Sequence, residues 1–189
     1  MKIAVTGGIG AGKSEFMRAV RELGVATYSC DEINADLLSD ENYVKKLACV
    51  FPFAVKYGKV DKSILRTAVF SDEENKKKLE NLSHPEIRKK IEEISGDAVV
   101  EVPLLFESGM TDLFDKIVVV TAPEDERIRR ICDTRGISKD MAKSIIKNQT
   151  TDDERKKRAD FFVMNDGSLE TLHNRAKEII ERTMNYERN

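Results

Sequence analysis

Near the start of the chain, Gly7-Gly8-Ile9-Gly10-Ala11-Gly12-Lys13-Ser14 crowds four glycines, a lysine and a serine into eight positions. The spacing Gly-x-x-x-x-Gly-Lys-Ser is that of a phosphate-binding loop. Glycines let the backbone adopt unusual dihedrals and aim successive N–H groups inward. A helix that begins at the lysine presents its positive N-terminus to the same point. In such a loop Lys13 reaches the β- and γ-phosphates of a nucleotide, and the Ser14 hydroxyl holds Mg²⁺. The alternative is a chance glycine-rich turn. A strand before and a helix after are the context that the phosphate reading needs, and both are legible here.

The motif by itself says nucleotide and no more, since switches, motors and phosphotransferases share it. Asp31 narrows the choice. It follows a second short strand, and in an open parallel sheet ligands gather at the carboxyl ends of the strands. A carboxylate there can take a proton from an attacking hydroxyl. Asp is also a favoured helix N-cap, and the two roles can hold together.

Glu101 lies within the apolar run Ala98-Val-Val-Glu-Val-Pro103. A carboxylate in such a strand is costly unless partnered. We expect it near Mg²⁺ through water, with a plain strand-end charge as the alternative. Phosphoryl transfer also needs positive charge around the moving group. The candidates are Arg127, Arg129, Arg130, Arg135, Arg155 and Arg158, and Arg130 and Arg135 are preferred as catalytic charges. For each, the alternative is a solvated helix face. His84 is read as an acceptor-binding or helix-capping group ahead of Pro85, His173 as part of the last helix, and Cys30 as a small packing residue.

The elements that must position these residues follow from periodicity. Lys2–Thr6 reads as a strand, Lys13–Leu23 as a helix stopped by Gly24, and Val25–Ser29 as a second strand. Residues 31–95 read as mostly helical. Asp40 or Ser39 caps a helix through Val50. Ser71-Asp-Glu-Glu74 has capping-box spacing before a helix through Leu82. A separate helix over Glu86–Ile94 would place Pro85 in its first turn. Ala98–Leu105 and Lys116–Thr121 are apolar enough for strands buried on both faces. Helices over Glu124–Thr134, Ser138–Asn148 and Asp152–Arg158 precede a strand at Phe161–Met164 and a last amphipathic helix. Alternating strands and helices predict a doubly wound α/β fold around a parallel five-stranded sheet.

Composition bounds the function. The 189 residues are 40% hydrophobic and 35% charged, enough for one sizeable core. A net charge of −2 supplies no global basic field for nucleic acid or anionic membrane. No apolar run approaches the roughly 18 residues of a spanning helix, and no signal peptide is evident. Cys30, Cys49 and Cys132 are odd in number and form no Cys-x-x-Cys pair. A disulfide framework or zinc site is therefore not expected, and a reducing cytoplasm is.

The chain resembles the dephospho-CoA kinases. The matching pieces are TGGIGAGKS at 6–14, Asp31, SHP at 83–85, VPLLFESG at 102–109 and RADFFVMNDG at 158–167, in the family's order. The resemblance implies a phosphate-loop kinase that uses ATP and Mg²⁺ to phosphorylate the ribose 3′-hydroxyl of dephospho-CoA, giving CoA and ADP. It implies small-molecule partners and is compatible with a monomer or small homo-oligomer. By position, Asp31 matches the general base. Gly8, Gly10, Ala11, Gly12, Lys13 and Ser14 match the phosphate clamp. His84 and Pro85 match residues bordering the acceptor site. Leu104, Leu105, Phe106 and Glu107 match a segment near both substrates, and Asn165 and Gly167 a loop near the adenine of ATP. Residues 31–95 would form a helical acceptor-binding insertion and 133–158 a lid, within a single domain over 1–189.

Three positions depart from the family pattern. Ser29-Cys30-Asp31 stands where Asp-Ala-Asp is frequent. Glu15 replaces a threonine that contacts phosphate; its side chain cannot repeat the contact, though its backbone N–H can. Thr134 stands where an arginine is frequent, with Arg135 one place later. Two other readings remain: a kinase for another small alcohol or nucleotide, and a nucleotide-driven switch. A guanine-reading switch would usually carry Asn-Lys-x-Asp, and the chain has none.

Overall fold

The structure is a computed structural model that describes residues 1–185. Five strands form the main sheet: β1 (Lys2–Thr6), β2 (Ala26–Ser29), β5 (Ala98–Glu101), β6 (Lys116–Thr121) and β7 (Phe161–Met164). Their order is β2-β5-β1-β6-β7, and every neighbouring pair is parallel. The three middle strands, β5, β1 and β6, are buried on both faces, whereas the edge strand β2 has no buried residue. Ile3, Val5, Val99, Val118 and Val120 pack on one face, against α1 (Lys13–Glu22) and α9 (Leu169–Asn185). Ala4, Val100 and Val119, one residue out of phase, are fully buried on the other.

β1 is the central strand. The connection leaving it runs to β2 on one side, whereas those leaving β5 and β6 run the other way. The phosphate loop at the end of β1 therefore sits at the reversal, where α/β sheets bind ligands. After β6 come α6 (Glu124–Arg135), α7 (Lys139–Lys147) and α8 (Asp152–Lys157). Ile128, Ile131 and Ala142 join α6 to α7 in a small core of their own. Ser138 and Thr151 cap α7 and α8 through their hydroxyls.

The chain divides into two compact units, one built from Met1–Ser29 with the chain from Ser95 onward, the other from Cys30–Ile94. The second unit contains α2 (Cys30–Leu37), α3 (Glu41–Val50), a hairpin of β3 (Val55–Lys56) and β4 (Lys59–Val60), α4 (Lys62–Ser71) and α5 (Glu73–Glu92). Its core gathers Leu47, Phe51, Ala54 and Leu65.

Three details differ from the sequence reading. Residues 73–92 form one continuous helix, with Pro85 inside it rather than opening a new one. Pro85 removes one backbone donor, but buried Ile87 and Ile91 hold the helix beyond it in the unit. The cap of α5 is Asp72 rather than Ser71. β5 ends at Glu101, short of Leu105. Val102 still donates to the Val5 carbonyl at 2.9 Å, but Pro103 has no N–H with which to continue the ladder. Among the described residues no helix is long and apolar enough to cross a membrane.

Candidate active site

The phosphate loop links the central strand to α1. Gly12, the N-cap of α1, has φ +100°, a left-handed conformation that disfavours any side chain. A Cβ there would also lie 2.3 Å from the Asn165 amide nitrogen. Gly8 is closed off differently, since a Cβ on it would lie 2.1 Å from a terminal nitrogen of Arg127. Lys13 folds back along the loop, and its Nζ donates to the carbonyls of Gly7 at 3.0 Å and Gly8 at 3.2 Å. The ammonium is thus held at the mouth of the loop. Ser14 is exposed, and the positive N-terminal end of α1 is at the loop.

A set of side chains braces this loop from outside. Asn165, just past β7, is buried; its amide donates to the Ala11 carbonyl at 2.9 Å. The Ile9 N–H donates to the Gln149 side-chain oxygen at 2.9 Å. The Ile9 carbonyl accepts from Arg127 Nε at 3.0 Å, and the Gly10 carbonyl from Arg130 at 3.2 Å. Arg127 Nη1 lies 3.3 Å from Asp152. Asp152 also accepts from the Thr121 hydroxyl and, at 3.0 Å, from Arg155. Arg155 reaches Glu107 at 3.9 Å, and Glu107 accepts from both the backbone and the hydroxyl of Thr150. Arg127 is 4% exposed and Arg155 1%. Burial pulls the Arg127 pKa down, opposed by the charge of Asp152. Burial also acts to raise the Glu107 pKa, but the Thr150 hydrogen bonds and the Arg155 charge outweigh it and leave the carboxyl below its ordinary value.

A family model described as dephospho-CoA kinase matches residues 1–171. The chain belongs to the dephospho-CoA kinase family. A dephospho-CoA kinase from Fusobacterium nucleatum is 33% identical over 188 residues, covering 96% of this chain and 97% of the relative. A crystal structure from Thermus thermophilus superposes with a TM-score of 0.80 at 33% identity, covering 96% of this chain and 97% of that one. A dephospho-CoA kinase structure from Campylobacter jejuni gives 0.73 at 32% identity, covering 97% and 98%.

The positions matched to the dephospho-CoA kinase pattern fall at different depths. Asp31 is the second residue of α2, exposed, and α2 starts directly after β2. His84 is half-buried inside α5, and Pro85 beside it is exposed, so neither caps a helix. Leu105 is fully buried and packs into the core, whereas Leu104 is 46% exposed. Phe106 is buried beneath Arg158, whose guanidinium lies 4.2 Å from the ring centroid. Gly167 is exposed in the turn before α9. Arg135 is exposed at the end of α6, away from the braces that take up Arg127 and Arg130.

Sequence reasoning missed the buried condition of Arg127 and Arg155 and the roles of Gln149, Asp152 and Thr121. For Arg127 a signal exists: it stands four residues before Ile131, on the apolar stripe of α6. For Gln149 and Asp152, which lie in a polar stretch, no signal exists.

The donor chemistry fits Mg²⁺. Among the described residues no cluster of three or more His, Cys, Asp or Glu could cage a metal. Mg²⁺ needs no such cage, because it keeps waters and is held by one or two protein oxygens plus substrate phosphates. The Ser14 hydroxyl and the Glu101 carboxylate, at the end of the strand beside β1, are oxygens of that kind.

Proposed function

We propose that this chain transfers the γ-phosphoryl group of ATP to the ribose 3′-hydroxyl of dephospho-CoA, releasing CoA and ADP. The observation that carries this reading is a braced phosphate loop at the end of the central strand of a chain matched to dephospho-CoA kinase over residues 1–171. Residues 8–14 and the Glu15 N–H receive the triphosphate. Lys13 exchanges its two loop carbonyls for phosphate oxygens. Ser14, with Glu101 through water, would hold Mg²⁺, which when bound neutralises phosphate charge. Asp31 accepts the proton of the 3′-hydroxyl as its oxygen forms a bond to the γ-phosphorus, and the bond to the ADP oxygen breaks. Arg130 and Arg135 supply positive charge as that bond breaks.

Residues 31–95 serve as the acceptor-binding insertion, with His84, Pro85, Leu104 and Glu107 bordering the acceptor. Residues 133–158 act as a lid that excludes water, the competing acceptor. Asn165 and Gly167 lie toward the adenine. The reaction belongs to the cytoplasm, where its nucleotide substrates are.

The test is ADP release from ATP-Mg²⁺ with dephospho-CoA, AMP, shikimate or gluconate supplied singly. Release with dephospho-CoA alone supports the reading. Release with another acceptor keeps the phosphate clamp and changes the substrate. Release that ignores every acceptor favours a nucleotide switch.

A further inference from the structure

Ile9 is held at both of its backbone groups by side chains remote in sequence. Its N–H is taken by Gln149 at 2.9 Å and its carbonyl by Arg127 at 3.0 Å. Gln149 lies just beyond α7, and Arg127 in α6 is itself fixed by Asp152 at 3.3 Å, the first residue of α8. The packing is equally close. The Arg127 carbonyl would lie 2.8 Å from a Cβ on Gly10, and its guanidinium leaves no room for one on Gly8. One guanidinium nitrogen of Arg127 is buried without a hydrogen-bond partner. An unmet buried donor costs stability, so a fold that keeps one gains something else from the side chain.

We infer that Arg127 is a positioning residue for phosphate binding: clamped by Asp152, it joins Gln149 in pinning the Ile9 peptide to the outside of the loop, which turns the following N–H groups toward the triphosphate. A peptide is planar, so fixing the N–H and carbonyl of Ile9 fixes the planes on both sides of its Cα. The glycines that follow have little intrinsic preference for one conformation. An external clamp supplies the preference they lack. Without it the loop samples other arrangements, and ATP must select the competent one at a cost in affinity.

Charge does not explain the arrangement as well. Asp152 and Glu107 stand against Arg127 and Arg155, so the cluster balances within itself. What Arg127 offers is a rigid fork that reaches a carbonyl and a carboxylate at once, which lysine cannot reproduce.

The inference rests on residues 8–14 being the triphosphate site. It is tested by steady-state kinetics on the full chain, varying ATP and dephospho-CoA separately, beside thermal melts. Arg127→Lys keeps the charge and loses the fork. It is expected to raise the KM for ATP about tenfold, the effect of one hydrogen bond to a charged group. The KM for dephospho-CoA stays unchanged. Gln149→Met removes the other hold on Ile9 without unpairing a buried charge, and is expected to raise the KM for ATP by about two- to fivefold. Arg127→Lys combined with Asp152→Asn costs less than the sum of the two alone.

An ATP KM within about twofold of the parent in both Arg127→Lys and Gln149→Met overturns the inference. A parallel rise in both KM values does so too, since that is general loosening. If Arg127→Lys does not fold, Gln149→Met decides alone. Lys13→Ala separates the two levels. If it leaves ATP saturation untouched, the loop is not the triphosphate site and both readings fall. If it acts while the clamp variants do not, only the clamp falls.

Discussion

Glu15 and His173 face one another where α9 packs along α1, with a carboxylate oxygen 3.4 Å from Nε2. Arg18, one turn further along α1, lies 3.3 Å from the same oxygen. An acidic side chain in the first turn of the phosphate-loop helix thus has two partners, one on α1 itself and one on α9. Its negative charge still opposes a triphosphate at the helix N-terminus. Glu15→Thr is therefore expected to lower the KM for ATP by about two- to fivefold, the size of a charge effect at a helix end, with kcat unchanged. Kinetics at low and high salt check it, because the gain shrinks as salt screens it. A raised KM would mean that the carboxylate assists binding.

Lys13 and Asp31 separate two parts of the proposed reaction. Lys13→Ala removes the cation at the mouth of the loop and is expected to abolish most turnover. Asp31→Asn keeps the shape but cannot accept a proton, and kcat is expected to fall by about 10²–10⁴ while the KM for ATP holds. Steady-state kinetics with both substrates varied decide it. Loss of ATP affinity in Asp31→Asn would reassign Asp31 to nucleotide binding.

Glu107 gives a pH test. Its carboxyl is held below the ordinary value in the folded chain, despite burial, by Thr150 and Arg155. A lowered folded pKa means that the stabilisation is fully present above the unfolded pKa and is lost as pH falls through the folded one. The Tm gap between the parent and Glu107→Gln should be open at neutral pH and close in acid, below the usual carboxylate range. A gap that stays constant with pH would show that the Glu107 charge does not hold Thr150 and Arg155.

Tyr43 in α3 buries its hydroxyl without a hydrogen-bond partner, and burial together with the charge of Glu86 pushes its pKa up to about 12. Tyr43→Phe removes an unmet donor and leaves the ring. It is expected to stabilise the chain by about 1 kcal/mol, a rise in Tm of about 2–4 °C. A drop in Tm would show that the hydroxyl is bonded in solution.

The middle of the sheet was legible because β1, β5 and β6 are apolar on both faces, unlike the edge strand β2. β1, β6 and β7 lie at the bounds that their apolar runs predict. The extension of β5 to Leu105 failed because Pro103 stops pairing inside a run that stays apolar. The split at Pro85 failed because a proline reads as a boundary, while buried isoleucines beyond it carry α5 through. The β3–β4 hairpin has strands two residues long, too short for any periodicity; its mark is Tyr57-Gly58, with φ of +51° and +72°. Within the loop, the glycines announced a backbone that side chains would obstruct. The braces were illegible because Gln149 and Asp152 come together with Ile9 and Arg127 through the order of the strands, and nothing local records it.

β1 is hydrogen-bonded on both sides, and Ile3, Ala4 and Val5 are shut away from solvent. Such a strand exchanges its amide hydrogens only when the whole surrounding unit opens. The phosphate loop hangs from it directly and is stapled at Ile9, Gly10 and Ala11 to segments that come later in the chain. The nucleotide cradle is thus an all-or-none object. It is completed only after Asn165 has arrived, so a growing chain gains the power to grip phosphate late, once β7 has emerged, and loses it in a single step on melting.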